Sequence, residues 1–436
     1  MLIRRMLILR MLVMVGIGAL LALGLPLVAM PMQVAGLAPS GFARSVVGFA
    51  GLRPLLMGVY LAGSAIIALQ GAFFASVLKT RATLIIGGVT QSLGVLFTLA
   101  LLRLGYGIDG IFAAQAVVAW VAVLAFLIVL RPYLIGRTDR MTLEGRQLRS
   151  LMVSAWLTNI SNGALGKQMD IMLMSIFAVS YAAIGYYNLA YQLVSIVAVL
   201  LISGLGGVSV AAMSVTYTAR GSARLASMWR AIVTLHLLLS APLQILAFIL
   251  ADQIVMTVYG QTYAGAIPLL RIFLIFSFLG RMLGGGANQS ALYVLDKQRI
   301  VLTTRWIGFV INLVLDIILI QLAGPAGALI ATGFTQLWVN VVEYLALRRQ
   351  IANRYPLGLA LRVIIYSLFA ALPTVLLTVS GFIGLAARGV LFVVLFIVAA
   401  LIFRLGDSRD IVELATLNPR IQWLITLVSR FSVRQA

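Results

Sequence analysis

The sequence predicts an all-α fold: a polytopic membrane bundle of about twelve transmembrane helices in two pseudo-symmetric lobes, the first lobe missing two helices. Composition, the placement of basic residues and an internal repeat carry that expectation. Of 436 residues, 62% are hydrophobic and 10% charged, with a mean hydropathy of +1.10. Burial rises too slowly with chain length for a soluble core to hide so much apolar surface, so lipid must cover the remainder. Uncharged runs such as Met11–Met30, Val117–Leu130 and Val390–Phe403 suit a bilayer core, which takes about 20 apolar residues per spanning helix. Alternating apolar and polar decads, the mark of a membrane barrel, are absent. Lipid-exposed backbone must satisfy its own hydrogen bonds, so long apolar runs become helices.

The predicted spans are 6–30, 54–79, 81–104, 109–131, 150–178, 183–213, 224–250, 265–293, 299–322, 324–348, 359–381 and 384–404. The segment 1–30 begins with Arg4, Arg5 and Arg10, but its apolar stretch is too long for a signal peptide and reads as a retained helix. In 410–430, Ile411, Leu414, Leu417, Ile421, Leu424 and Leu427 recur at helical spacing between charges. That pattern predicts a helix lying in the membrane interface. With the N-terminus inside, 25 of the 32 Lys and Arg residues fall in inner loops or helix ends and four outside, while Lys167, Arg271 and Arg281 lie within spans. Such a bias places both termini on the cytoplasmic side of the membrane.

The repeat is the most specific feature. Lys79-Thr-Arg81 precedes a helix that ends in Gly107-Ile-Asp-Gly110, and Lys297-Gln-Arg299 precedes one that ends in Gly324-Pro-Ala-Gly327. The offsets are 218 and 217 residues, the signature of the parallel repeats that build two-lobed transporters. The organisation that follows is an N-terminal lobe of four helices over 1–131, a cytoplasmic linker over 132–149, a C-terminal lobe of six helices over 150–349, and an extra helix pair with the interfacial helix over 350–436. Nothing in 1–131 corresponds to 150–213, so the first lobe is expected to be incomplete.

Several functions are excluded or disfavoured. The chain has no cysteine, hence no disulfide or thiolate metal site. His236 is the sole histidine and cannot build a zinc site or a triad alone; it reads as a satisfied interior residue. The net charge of +21 sits between apolar runs, not on a basic face with interleaved aromatics, so no nucleic acid is expected as partner. Pro31–Arg53 is the longest outer loop and carries no acidic residue, and no Asp-x-Asp or Glu-x-x-Glu occurs. A membrane enzyme would want such carboxylates. A transporter without cofactor is expected instead.

Ionisable residues inside spans are costly and mark candidate sites. On 150–178, Asn159, Asn162, Gly163, Gly166, Lys167 and Asp170 fall on one helical face. They line a cavity, or Lys167 and Asp170 pair at i, i+3. On 265–293, Arg281, Gly285 and Asn288 share a face with Gln289 nearby, and Gly284–Gly286 could break the helix beside a cavity. Arg271 lies near the outer end, where snorkelling is an alternative. Arg305, Asn312 and Asp316 share a third face; Asp316 with Asn312 could bind a coupling cation or proton, or anchor helix packing. Tyr186, Tyr187 and Tyr191 fit an aromatic belt or a sugar-stacking surface.

Gly185-Tyr-Tyr-Asn-Leu-Ala190-Tyr, Tyr259-Gly-Gln-Thr-Tyr-Ala-Gly-Ala266, Val294 through Arg299, Asn312 through Ile320 and Gly324-Pro-Ala-Gly327-Ala together resemble the polysaccharide-unit flippases of the multidrug/oligosaccharidyl-lipid/polysaccharide exporter superfamily. The resemblance is closest over 150–350. It implies a two-lobed bundle that moves an undecaprenyl-pyrophosphate-linked oligosaccharide across the inner membrane for O-antigen, capsule or exopolysaccharide synthesis. It further implies a cationic cavity for which Lys167, Arg271 and Arg281 are the matching positions. The implied partners are the lipid-linked oligosaccharide, membrane lipids, and the polysaccharide polymerase and chain-length proteins. Members of the family begin with two further helices than this chain has. The alternatives are a lipid II or drug exporter of the same superfamily, a membrane-embedded polymerase or ligase, and an inactive truncated relative.

Overall fold

The computed structural model describes Gly16 and residues 52–76, 80–135, 166–202, 205–351, 355–377 and 381–402. Span 6–30 apart from Gly16, linker residues 136–149, Asn159, Asn162, Gly163 and the segment 410–430 lie outside the described residues. Every regular element among the described residues is helical. Seven of these helices are long and apolar enough to cross a membrane. Large apolar side chains such as Leu96, Ile128, Leu322, Leu376 and Ile383 are exposed on them, which water would penalise and lipid does not.

The chain divides into two compact units, residues 1–144 and 145–436. In the first, α1 (Leu52–Ser76), α2 (Thr80–Arg103) and α3 (Gly107–Ile135) form a three-helix group. Helices α1 and α3 run parallel: the Trp120 indole donates to the Val59 carbonyl at 3.1 Å, and Phe74 packs on Phe126 with centroids 5.7 Å apart. Between α2 and α3 the chain reverses at Gly107, whose φ of +55° favours glycine. A Cβ on Gly110 would lie 2.9 Å from that of Tyr106, so the second glycine of the motif is set by close packing.

The second unit contains α4 (Lys167–Ile176), α5 (Tyr181–Ile202), α6 (Leu205–Ile249), α7 (Ala251–Val258), α8 (Ala266–Met282), α9 (Gly285–Val294), α10 (Gln298–Arg348), α11 (Leu357–Leu376) and α12 (Gly381–Ile402). The long α10 is an antiparallel hairpin folded at Gly324, where φ is +55° and ψ −130°. Contacts match across the turn: Arg305 with Glu343, Gly308 with Val339 and Asn312 with Thr332. A Cβ on Gly327 would sit 1.9 Å from the Leu319 carbonyl oxygen. Both Gly-x-x-Gly turns thus use the first glycine for conformation and the second for room.

Within α6 two helices meet at a kink at Gly221 (φ 73°, ψ −168°), inside the loop expected at 214–223. One connection differs from that expected. Ala251–Val258 and a 3₁₀ turn at Gln261–Tyr263 occupy the loop expected before 265. Burial of Ala251 and Val255 against the core around Tyr187 and Leu274 gives that short helix its stability.

Candidate functional site

The expected span 265–293 is broken, and the break builds the site. Helix α8 stops at Met282 and α9 restarts at Gly285. Between them Gly284 takes φ +91°, a left-handed conformation that a side chain would strain. The break frees carbonyls at the end of α8, and Asn288 Nδ2 donates to one of them, Leu283 O, at 2.7 Å. Asn288 Oδ1 accepts from the Trp229 indole at 2.9 Å. Fully buried Asn288 therefore holds the break closed and does not face a cavity.

Beside the break lies a cavity of about 330 Å³. Its polar walls come from Arg281, Arg305, Ser277, Thr335, Gln336 and Asn340, and Gly166, Gly280, Gly285 and Gly286 supply bare backbone. The space exists because small residues let α8 and the returning arm of α10 approach closely: a Cβ on Gly333 would fall 2.4 Å from Phe276, and one on Gly280 2.9 Å from Asn340 Nδ2. Arg281 has no hydrogen bond or ion pair among the described residues, and its Nε is buried without a partner. Arg305 donates from Nη2 to Gln289 Oε1 at 2.9 Å and meets Glu343 with its Nε at 3.6 Å. Tyr191 also lines the cavity. Its ring stacks on Phe273 at 4.8 Å, with Lys167 Nζ 5.9 Å from its centroid.

A second polar site lies in the interior of the same unit. Asp170 from α4 accepts from Thr332 Oγ1 at 2.7 Å and from the Tyr187 hydroxyl. Asn312 Nδ2 donates to Asp316 Oδ2 at 2.9 Å and lies 3.5 Å from Thr332 Oγ1. Asp170, Asn312, Asp316 and Thr332 are each at most 1% exposed. Oδ1 of Asp170, of Asn312 and of Asp316 all lack a hydrogen-bond partner. Unfilled acceptor oxygens around two buried carboxyls form a site for a proton or a hard, oxygen-seeking cation, since two such charges cannot stand together unneutralised.

The predicted residues therefore separate. Arg281 faces the cavity. Asp170, Asn312 and Asp316 converge in the buried site. Lys167 and Asp170 do not pair: Lys167 donates to Asn188 Oδ1 at 2.9 Å, and Asp170 accepts from Tyr187 and Thr332. Arg271 lies outside the cavity in an ion pair with Asp252 at 2.5 Å, both side chains well exposed at 38% and 54%. The three tyrosines also divide, Tyr186 donating to the Thr262 carbonyl, Tyr187 binding Asp170 and Tyr191 lining the cavity. Thr332 and Glu343 were not anticipated. Glu343 is an acidic residue within a span, the same signal that marked Asp316; Thr332 carries no such signal.

The matching solved structures share this fold. One titled as the lipid II flippase MurJ in an inward closed conformation aligns with a TM-score of 0.59 at 14% identity, covering 89% of this chain and 83% of that one. An Asp-to-Asn variant of the Vibrio cholerae MATE transporter VcmN aligns at 0.54 and 16% identity, covering 78% of this chain and 77% of that one. No curated protein matches the chain in sequence. Residues 12–268, more than half of the chain, match the family described as polysaccharide biosynthesis protein. The chain is a multi-pass membrane protein of that polysaccharide biosynthesis family.

Proposed function

We propose that this protein is a flippase, not an enzyme, and that it moves an undecaprenyl-pyrophosphate-linked oligosaccharide across the bacterial inner membrane for surface polysaccharide synthesis. The observation that carries this reading is Arg281: a guanidinium inside a membrane span, facing a cavity of about 330 Å³ and bonded to no other described residue. An unpaired cation there is costly, and an anionic cargo repays that cost. The planar fork of arginine suits phosphate oxygens. Ser277, Thr335, Gln336 and Asn340 offer the donors and acceptors that sugar hydroxyls need, and Tyr191 offers a ring face.

The buried Asp170–Asn312–Asp316–Thr332 site would supply the driving force by taking up a proton or sodium ion on one side and releasing it on the other. Because it belongs to the same helices as the cavity, α4 and α10, its occupancy can bias how those helices pack. The charge bias of the loops supports cytoplasmic termini. A periplasm-active reporter fused after Arg140 should stay silent, and activity there would reverse the orientation. The polymerase and chain-length proteins would receive the flipped unit.

The test is polysaccharide export per inserted molecule. Arg281→Ala should abolish export while the protein still inserts at its normal level, and Arg281→Lys should recover part of it. Normal export by the alanine variant would remove Arg281 from the mechanism. A fall in folded protein at unchanged export per molecule would assign it a packing role.

A further inference from the structure

We infer that Glu343 is the internal counter-anion of the cargo cavity, a positioning residue that holds Arg305 when the cavity is empty, yields it to an anionic cargo, and takes up a proton in exchange. The inference rests on the reading of the cavity as an anion site. Glu343 lies on the returning arm of α10 and is 1% exposed. Among the described residues its partner is Arg305, whose Nε approaches to 3.6 Å without completing a hydrogen bond, and Glu343 Oε1 has no hydrogen-bond donor. A buried carboxylate held by one loose ion pair is stable only while that cation stays.

Arg305 joins Glu343 to the cavity. It lines the cavity with Arg281, and its hydrogen bond to Gln289 leads on to Gln289 Nε2 donating to the Tyr293 hydroxyl at 3.1 Å. Helix α9, which carries Gln289 and Tyr293, starts at the glycine break. A phosphate oxygen entering between Arg281 and Arg305 offers a closer, charge-assisted bond than Glu343 makes. Once Arg305 turns to it, Glu343 remains buried, where a bare charge is untenable. A proton from water then binds its carboxylate oxygen, and one negative charge leaves as another arrives.

The other titratable and charged groups around this corner are Arg281 from α8, His236 from α6 within electrostatic reach of Arg281, Tyr293 from α9, Arg348 further along α10, and Tyr355 ahead of α11. Among the described residues only Arg305 lies within ion-pair distance of Glu343.

The experiment measures inorganic pyrophosphate binding to the purified full chain in detergent, at pH 6 and pH 8, for the wild type, Glu343→Gln and Arg281→Ala. At pH 8 the wild-type carboxylate competes for Arg305, so Glu343→Gln should bind about tenfold more tightly, the size of a typical coupling between sites. At pH 6, where the wild-type carboxyl is more readily protonated, that ratio should shrink toward one. His236 is unchanged in both proteins and cancels in the comparison. If the glutamine variant is not recovered folded, Glu343→Asp replaces it. That variant withdraws the charge by one methylene and should bind more tightly than wild type at pH 8. Equal affinity of wild type and variant at both pH values, or weaker binding by the variant, overturns the inference. Binding that depends on Arg281 but not on Glu343 sinks the counter-anion alone. Pyrophosphate binding that is absent, or indifferent to both residues, removes the anion reading together with it.

Discussion

Arg281 and Asp170 are both ionisable residues in membrane helices of one unit, yet their surroundings are opposite. Arg281 faces a cavity of about 330 Å³ and bonds to nothing described around it. Asp170 is enclosed, with Tyr187 and Thr332 donating to one oxygen and Asp316 nearby. An open cation with free donors can serve a large anionic ligand that brings its own oxygens. A closed pair of carboxyls, with one unfilled oxygen each and a third on Asn312, can serve only something the size of a proton or a bare ion. On the proposed function the contrast is one of access: the cation stands where an anionic cargo would enter, and the carboxyls where only a small cation would fit.

The largest effect that would sharpen this contrast comes from the buried site. Asp170→Asn with Asp316→Asn removes both charges while conserving shape, so transport should fall to background. Pyrophosphate should still bind at the cavity, because Arg281 and Arg305 in its wall are unchanged. A parallel loss of both would mean that the two sites are one.

Asn288→Ala comes next, and it should act on stability. It strands the Trp229 N–H and the Leu283 carbonyl, at about 1–3 kcal/mol for each group left unpaired. A thermal-unfolding midpoint in detergent should drop clearly while export per folded molecule persists. An unshifted midpoint would show that the helix break does not depend on Asn288.

Arg271→Ala should matter least. Its ion pair with Asp252 is exposed on both sides, and such pairs contribute roughly 0–1 kcal/mol. Export by this variant should match wild type; a loss comparable to that of Arg281→Ala would bring Arg271 back to the cargo path.

Much of this was legible in the residues. Apolar runs and basic turns placed most of the described helices within a few residues, because lipid leaves the backbone few options. Gly107 and Gly324 announced turns that only glycine makes easily, and Gly284–Gly286 hinted at the broken helix. Helical spacing placed Asn312 and Asp316 on one face. It could not say where side chains on a face would turn. Lys167 and Asp170 share a face, yet one reaches Asn188 and the other Thr332, 162 residues away in sequence. Asn288 shares a face with Arg281, yet the break turns it to cap Leu283 instead of lining the cavity. Long-range partners such as Thr332 and Tyr187 become visible only once α4, α5 and α10 pack. Glu343 was visible in the sequence as a charge within a span, but its meaning depends on Arg305 across the hairpin.

The most direct test of the account is transbilayer movement of an undecaprenyl-pyrophosphate-linked oligosaccharide in proteoliposomes that hold equal amounts of wild-type, Arg281→Ala or Arg271→Ala protein. The account predicts movement by wild type and Arg271→Ala, and movement no faster than protein-free vesicles by Arg281→Ala. Equal rates for wild type and Arg281→Ala would contradict it.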